Sequence, residues 1–434
     1  PSTLPYLSSI ETKPKLNLTP PFSPQINQYF ANVSYDQLLI TIFAKTENCQ
    51  SEVRIDDKFG PSRPINYTLG IGSNKVTFVV VDISHTEPWV ISSYTLHINR
   101  LHPTHNESKF NPLVPHRICS LKQDCDLRVF ARESCGLQKE VGNSWKAHLL
   151  SRMRLPKCSS GIAPGRWVLP CKSCEQKWTC WWREARWEPY ACQHTTYSAR
   201  TLSKCLENKK ILFIGDSTNR GIMHYVIEKL NGSLTDNDKT HNVRLYNDLN
   251  HDRTLMGFTY YPKFWLPSNQ RPAFDKTLLQ LLERVQPLEN ESNIVIVFGG
   301  VQWLATQHIH MLLTTLSNLK LNRVKLIMKT LGAGFHQPIE GEEQQKLSSH
   351  NNGLSLYARM HGIETIDTYN ITVARYKDYY PGKCACHFHL VTDVQPNPTQ
   401  AFSLESSQPQ RYHVEGSINA AYSEIFISRL CDTR

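Results

Sequence analysis

An N-terminal β-sandwich followed by a C-terminal α/β domain with a parallel sheet is the architecture this sequence predicts, and three observations predict it. Short strand-like runs separated by Gly, Asn and Pro turns fill the segment after residue 28. Beyond residue 206, apolar runs without alternation take turns with stretches of helical period. Between them, Lys209-Lys210-Ile211-Leu212-Phe213-Ile214-Gly215-Asp216-Ser217-Thr218-Asn219-Arg220 reads as a buried strand that stops at a glycine turn and delivers a serine to the start of a helix.

In chain order, residues 1–27 carry Pro1, Pro5, Pro14, Pro20, Pro21 and Pro24 and read as a linker. Residues 28–101 form the β module, with strands expected at 37–43, 51–55, 75–81 and 94–98. Its runs carry no catalytic constellation, so a spacer or adhesion role is expected. Residues 102–205 form a connector rich in cysteine, with Trp178, Trp181, Trp182 and Trp187 near its end. Residues 206–434 form the α/β domain. After Ser217, Ile222, Val226 and Leu230 recur at four-residue spacing, so a helix starts at or just after the serine. Further buried strands are expected at 293–298, 324–328 and 363–367, and helices at 276–283, 311–321, 342–360 and 418–430. Strands alternating with helices imply a parallel sheet whose ligands sit at the carboxyl ends of the strands, where Ser217, Gly299 and Gly300 fall.

At 434 residues the chain has room for two or three cores. Hydrophobic residues make up 40% and charged residues 20%, which excludes disorder of the whole chain. No apolar run reaches the roughly 18 residues of a spanning helix. The sequence opens on Pro1 without a basic-then-apolar leader, so the expectation is a removed signal or anchor, or further protein upstream. Thirteen cysteines, and acceptor sequons at Asn17, Asn32, Asn66, Asn106, Asn231, Asn290 and Asn370, point to the lumen of the endoplasmic reticulum or Golgi, or to secretion. An odd cysteine total leaves at least one thiol over, or pairing between chains. Cys171, Cys174 and Cys180 are alternatively part of a zinc site, although no second ligand pair follows at zinc-knuckle spacing. The formal charge of +10 suits acidic partners such as sialylated or sulfated glycans, and equally a solvated surface. No aromatic-basic motif of the nucleic-acid modules occurs, which makes nucleic acid the least favoured partner.

Ser217 is the candidate nucleophile because a hydroxyl at a helix N-terminus lies among amides that favour negative charge on an attacked carbonyl oxygen; the competing reading is an ordinary capped turn. Two resemblances bear on that choice. Gly72-x-Asn74-x-Val76-x-Phe78-x-Val80 and Tyr94-Thr95-Leu96-His97-Ile98-Asn99-Arg100 resemble cadherin-like β-sandwich domains. Gly165-Arg166-Trp167-Val168, Trp178-Thr179-Cys180, Arg186-Trp187-Glu188-Pro189-Tyr190-Ala191-Cys192 and the strand entering Gly215-Asp216-Ser217 resemble the entry to the PC-esterase domain. That domain is shared by trichome-birefringence-like polysaccharide O-acetyltransferases, the sialic-acid O-acetyltransferase and the neurexophilin-and-PC-esterase proteins. The resemblance implies an SGNH-type (GDSL-like) sandwich and a serine acyl-esterase or O-acetyltransferase acting on glycans, with Asp216 and Ser217 in its first block. No cofactor is expected, and acetyl-CoA or a similar acyl donor is a partner only for a transferase.

The resemblance also directs the remaining site residues. Phe298-Gly299-Gly300-Val301-Gln302-Trp303 follows its strand as the third SGNH block does, so Ser217, Gly299, Gly300 and Gln302 are the oxyanion candidates and Gly257 a weaker one for the second block. Gln302 stands where that block usually offers asparagine. Arg220 matches the arginine three residues after the serine, and with Trp303 it is the candidate for substrate contact; its alternative is a surface helix charge. His413 stands just before the last helix, as the family's histidine does, yet three residues earlier lies Gln410 instead of aspartate. Asp393 or a backbone carbonyl is then needed to orient the ring. His387 and His389, in Cys384-Ala385-Cys386-His387-Phe388-His389, are the rival bases; the same residues are alternatively metal ligands, with no metal the preferred reading. Against the enzyme stands a catalytically inactive glycan-binding or extracellular interaction module, favoured by Gln410 as the retained Gly215-Asp216-Ser217 favours the enzyme.

Overall fold

The structure, a computed structural model, describes residues 6–56, 64–102, 111, 116–141, 144–237, 241–288, 291–334, 339–381, 387–394 and 410–432. It divides into two compact units, Pro1–Ser108 with Lys377–Ala385, and Lys109–Tyr376 with Cys386–Arg434.

The first unit is a β-sandwich. Strands β1 (Leu7–Lys13), β2 (Gln28–Val33), β3 (Leu39–Thr46), β4 (Ser51–Ile55), β5 (Ile65–Thr68), β6 (Gly72–Asp82) and β7 (Trp89–Arg100) form sheets of order β1-β3-β5 and β2-β7-β6-β4. Alternate residues face inward, as a sheet with one solvated face requires, so Tyr29, Ile40, Ile42, Phe78, Leu96 and Ile98 build the core. Residues 7–27 are not the expected linker. Leu7 is fully buried, and Leu16, Leu18, Phe22 and Ile26 pack against the same core. The prolines conceal this apolar series, since they sit where no ladder N–H is needed, while Thr19 exchanges two 2.8 Å backbone bonds with Phe30. The chain also returns to this unit late: the Tyr379 carbonyl accepts from Ile71 N–H at 3.0 Å, and buried Arg100 donates to the carbonyls of Lys377, Leu69 and Tyr35.

In the second unit the cysteine-rich segment is part of the same compact body rather than a connector. Strands β8 (Arg117–Leu121), β9 (Leu137–Lys139), β10 (Gly165–Cys171) and β11 (Arg186–Pro189) form an antiparallel sheet of order β11-β10-β8-β9, beside helix α1 (Trp145–Arg152). Disulfides 119–174, 125–135, 158–192 and 171–180 staple it. Cys171 pairs with Cys180 and Cys174 with Cys119, and the sulfurs of Cys119, Cys171 and Cys180 lie within 4.8 Å of one another. Cys49 is free and exposed, while Cys384 and Cys386 lie outside the described residues.

Helix α2 (Ala199–Leu206) leads into the second sheet. Its strands are β12 (Lys209–Gly215), β13 (Arg244–Leu249), β14 (Thr254–Tyr260), β15 (Ile294–Gly299), β16 (Lys325–Lys329) and β17 (Glu364–Ile366), in the order β13-β14-β12-β15-β16-β17. All neighbours pair in parallel except the edge pair β13 and β14. Ile211 to Ile214 are fully buried because helices cover both faces. Helices α3 (Ser217–Asn231), α4 (Phe274–Arg284), α5 (Thr306–Asn318), α6 (Gly341–Met360), α7 (Tyr369–Val373) and α8 (Ser417–Cys431) supply that cover, with α3 packed on α8 and α4 on α5. The chain leaves β12 first toward β14 and then toward β15, so the strand order reverses beside β12. A crevice for ligands is expected at the carboxyl ends there. The hairpin of β18 (Leu390–Asp393) and β19 (Tyr412–Glu415) precedes α8.

Of the sequons, Asn17, Asn32, Asn66 and Asn231 are exposed. Asn370 is half-buried in α7 with its amide donating to Asp367 at 2.6 Å, which removes it from the expected glycosylation sites. Asn106 and Asn290 lie outside the described residues.

The disulfide between Cys205 of α2 and Cys431 of α8 closes a separation of 226 residues, whereas 125–135 closes 10. In the loop-entropy picture the first stabilises by about 5 kcal/mol and the second by about 3. Cys205→Ala/Cys431→Ala is therefore expected to lower the urea midpoint further than Cys125→Ala/Cys135→Ala; equal shifts would remove loop length as the cause. Burial also holds three rings neutral: it pushes His194 down to about 4, His224 down to about 3 with Arg220 contributing, and His389 well below the ordinary 6.5. The unfolded chain takes up these protons first, so stability falls as pH drops below about 6.5, by up to about 1.4 kcal/mol per unit for each ring. His224→Gln is expected to lose less stability than the wild type on acidification from about pH 7 to 5, read by urea unfolding at each pH. Parallel curves would show that the ring protonates within the fold.

Candidate active site

The site is built around one carboxylate. Asp216 ends the turn after β12, and its Oδ1 accepts from Thr218 N–H at 2.9 Å and from the Thr218 hydroxyl at 2.6 Å, capping α3. Its Oδ2 accepts from Val301 N–H at 2.8 Å, which ties the loop after β15 to the same point. Gly300 must be glycine there, because a Cβ would lie 2.3 Å from Asp216 Oδ2 and 2.2 Å from Trp303 Nε1. Lys329, at the end of β16 and wholly buried, donates to the Thr218 hydroxyl at 2.9 Å and the Gly300 carbonyl at 3.0 Å. Loss of hydration pushes its ammonium down to about 8, against the opposing pull of Asp216. Asp216 thus positions the turn; it does not touch His387 or His413 among the described hydrogen bonds.

Ser217 is the first residue of α3, buried to 4% exposure, and its Oγ lies 2.5 Å from His387 Nε2. The register of the hairpin explains why this histidine arrives. Leu390 pairs with Glu415, so residues 387–389 run alongside the entry to α8. Gly416 allows it: a Cβ there would lie 2.2 Å from the Phe388 carbonyl. His389 follows into the interior, where its Nδ1 has no hydrogen-bond partner among the described residues and lies against Gly221.

His413 is elsewhere. It faces Thr392 across the hairpin, is exposed, and its Nδ1 meets Glu228 Oε1 at 2.6 Å. Glu228 lies eleven residues beyond Ser217 on α3, about three helical turns away. Asp393 accepts from Gln410 at 3.1 Å, so neither orients a ring at the serine. The histidine beside Ser217 therefore comes from the segment that enters the hairpin, and not, as expected, from His413 on the strand that leaves it.

Other expected residues divide similarly. Gly257 lies in mid-strand, walled by Leu212, Leu245 and Leu281, and Gly299 is held in the sheet between Gly215 and Lys329. Gln302 is exposed on the loop after Val301. Trp303 is buried against Tyr261, Phe274 and His308, so it builds the wall of the site and has no face open to a ligand. Arg220 is buried with its guanidinium 5.7 Å over the Phe258 ring. Sequence reasoning missed Tyr260 and Lys329. Tyr260 ends β14 opposite Gly215; burial and Asp216 push its phenol up, while the Ser217 hydroxyl and N–H and Arg220 favour its ionised form. Their signals were a lysine closing the apolar run Leu326-Ile327-Met328, and a tyrosine at a strand end before Tyr261-Pro262.

Residues 187–331 match the model of the NXPE family member 4-like C-terminal domain, and residues 7–101 that of the cadherin-like beta sandwich domain. The chain is 24% identical over 130 residues to "Probable xylan O-acetyltransferase 10" of Oryza sativa subsp. japonica, covering 28% of this chain and 29% of that protein. It is 26% identical over 103 residues to "Protein trichome birefringence-like 4" of Arabidopsis thaliana, covering 20% and 22%. The chain thus spans under a third of the length of either relative. Among solved structures, a putative acylhydrolase from Bacteroides fragilis aligns over 44% of this chain and 85% of its own, at 16% identity and a TM-score of 0.24. Residues 7–101 are thus similar to a cadherin-like β-sandwich, and residues 187–331 to the C-terminal domain of NXPE-type proteins.

Proposed function

We propose that this protein is a serine acyl-esterase or O-acetyltransferase that acts on acyl groups of glycans through an acyl-Ser217 intermediate. The observation that carries the reading is the 2.5 Å contact between Ser217 Oγ and His387 Nε2 at the head of α3. His387 takes the hydroxyl proton as Oγ attacks the ester carbonyl. The negative oxygen that forms is held at the helix N-terminus by the Ser217 N–H, with Gly300 on the neighbouring loop as second donor. His387 then returns the proton to the departing sugar oxygen. In a transferase fed by a thioester donor such as acetyl-CoA, the group that departs with that proton is the CoA thiol; water in an esterase, or a sugar hydroxyl in a transferase, next attacks the acyl-serine and gives its proton to His387, which returns it to Ser217 Oγ. Arg220 supplies positive charge beside the site and suits an acidic glycan.

The acyl-transfer chemistry also accords with relatives named as an acetyltransferase and a trichome birefringence-like protein. Five disulfides among the described residues suit the secretory pathway. Gln410 was the ground for an inactive binding module. The histidine beside Ser217 has the same departure, with Cys384 instead of an acid three residues earlier, so turnover decides between the enzyme and the binding module.

Turnover of p-nitrophenyl acetate and labelling by a fluorophosphonate probe test the reading. Ser217→Ala is expected to abolish labelling and to lower turnover by on the order of 10³-fold or more. His387→Gln is expected to cost on the order of 10²- to 10⁴-fold. His413→Gln is expected to leave turnover near the wild-type level. Equal activity in wild type and Ser217→Ala, without a covalent adduct, sinks the proposal; loss in His413→Gln but not His387→Gln reassigns the base.

A further inference from the structure

Tyr260 connects the candidate nucleophile to an aromatic surface that the acyl-serine chemistry leaves unused. The Trp265 ring meets the Tyr260 ring edge-on, with centroids 5.0 Å apart and planes at 68°. It lies 4.0 Å from the His241 ring, which meets Tyr260 at 4.9 Å. Although wedged on these two sides, Trp265 is 47% exposed and its neighbour Phe264 is 37% exposed.

The segment is fixed rather than loose. Phe264 N–H donates to the Pro262 carbonyl and Leu266 N–H to the Lys263 carbonyl, both at 3.0 Å. Arg271 clamps the turn from outside, donating from Nε to the Leu266 carbonyl at 2.9 Å and from Nη2 to the Phe264 carbonyl at 3.0 Å. A large apolar ring held rigid yet half in water is a preorganised binding surface, since little conformational freedom remains to be lost when a ligand covers it. Trp303 provides the contrast, because Tyr261, Phe274 and His308 already surround it.

We propose that Trp265 is the stacking platform for a pyranose ring of an O-acylated glycan, placed one tyrosine ring away from Ser217. This rests on the acyl-serine reading and adds to it what presents the ester. A pyranose carries C–H groups on its faces and hydroxyls around its rim. Laid on the indole, it buries the apolar face and projects a rim ester along Tyr260 toward the serine. A small acyl ester has no such face to offer. A single fixed indole beside the nucleophile fits a sugar better than an acyl chain, which needs a continuous apolar groove.

The test compares p-nitrophenyl acetate with O-acetylated xylo-oligosaccharides and O-acetylated sialyllactose in Trp265→Ala, Trp265→Phe and Trp178→Ala, the last altering an exposed tryptophan of the cysteine-rich segment. The ratio of kcat/KM on the best glycan to that on p-nitrophenyl acetate is expected to fall on the order of 10- to 50-fold in Trp265→Ala, chiefly through KM. Trp265→Phe should recover part of it, and Trp178→Ala should keep the wild-type ratio. Calorimetric titration of Ser217→Ala with the same glycans, with and without Trp265→Ala, reads binding without turnover. If Ser217→Ala leaves turnover intact, the acyl-serine reading fails, and the titration alone decides the platform. An unchanged ratio, glycan binding that survives loss of Trp265, or absence of binding to every glycan tested overturns the proposal.

Discussion

The second unit turns on the bonds made by the Asp216 carboxylate. One oxygen caps α3 through Thr218 and the other holds Val301, so the ends of β12 and β15 are fixed to a common point at the place where strand order reverses. Lys329 extends the cluster to β16 by way of the Thr218 hydroxyl and the Gly300 carbonyl. A buried cation with so few partners is tolerated only where opposite charge lies close, and Asp216 supplies it. The position of Ser217, and the absence of a side chain at Gly300, follow from this cluster.

The base arrives by a separate route. Nothing in the sheet dictates where the segment before α8 runs; the β18–β19 register does, by setting Leu390 against Glu415. A register is a discrete choice, and a shift by one residue would turn His387 away from the serine. The same hairpin carries His413 to the far end of α3, where Glu228 both accepts from Val414 N–H and pairs with the ring. One hairpin therefore settles two histidines at once, one beside the nucleophile and one on the surface.

The aromatic residues divide by what covers them. Tyr261, Phe274, Trp303 and His308 form a closed set that supports the loop after β15. Tyr260, Trp265 and His241 form a set that remains open on one side. Residue type does not distinguish them, because each set holds a tyrosine, a tryptophan and a histidine. Coverage by α4 and the start of α5 does.

By itself the sequence determined β12, β15, β16 and β17 and the long helices α3, α4, α5, α6 and α8, because unbroken apolar runs and four-residue spacing are local properties of the chain; β13 and β14 were not read from it. It likewise determined that Ser217 would stand at the head of a helix after a buried strand, since Gly215, the capping Asp216 and the apolar spacing beyond are contiguous. Residues 7–27 were misread because prolines dominate composition while Leu7, Leu16, Leu18 and Phe22, which decide the packing, are sparse among them. Cysteine pairing, the buried Lys329, the neighbourhood of Tyr260 and the histidine that meets Ser217 were left to the tertiary structure. Each depends on which distant segments share a position in space, and no local pattern specifies a contact across the 170-residue separation of Ser217 and His387.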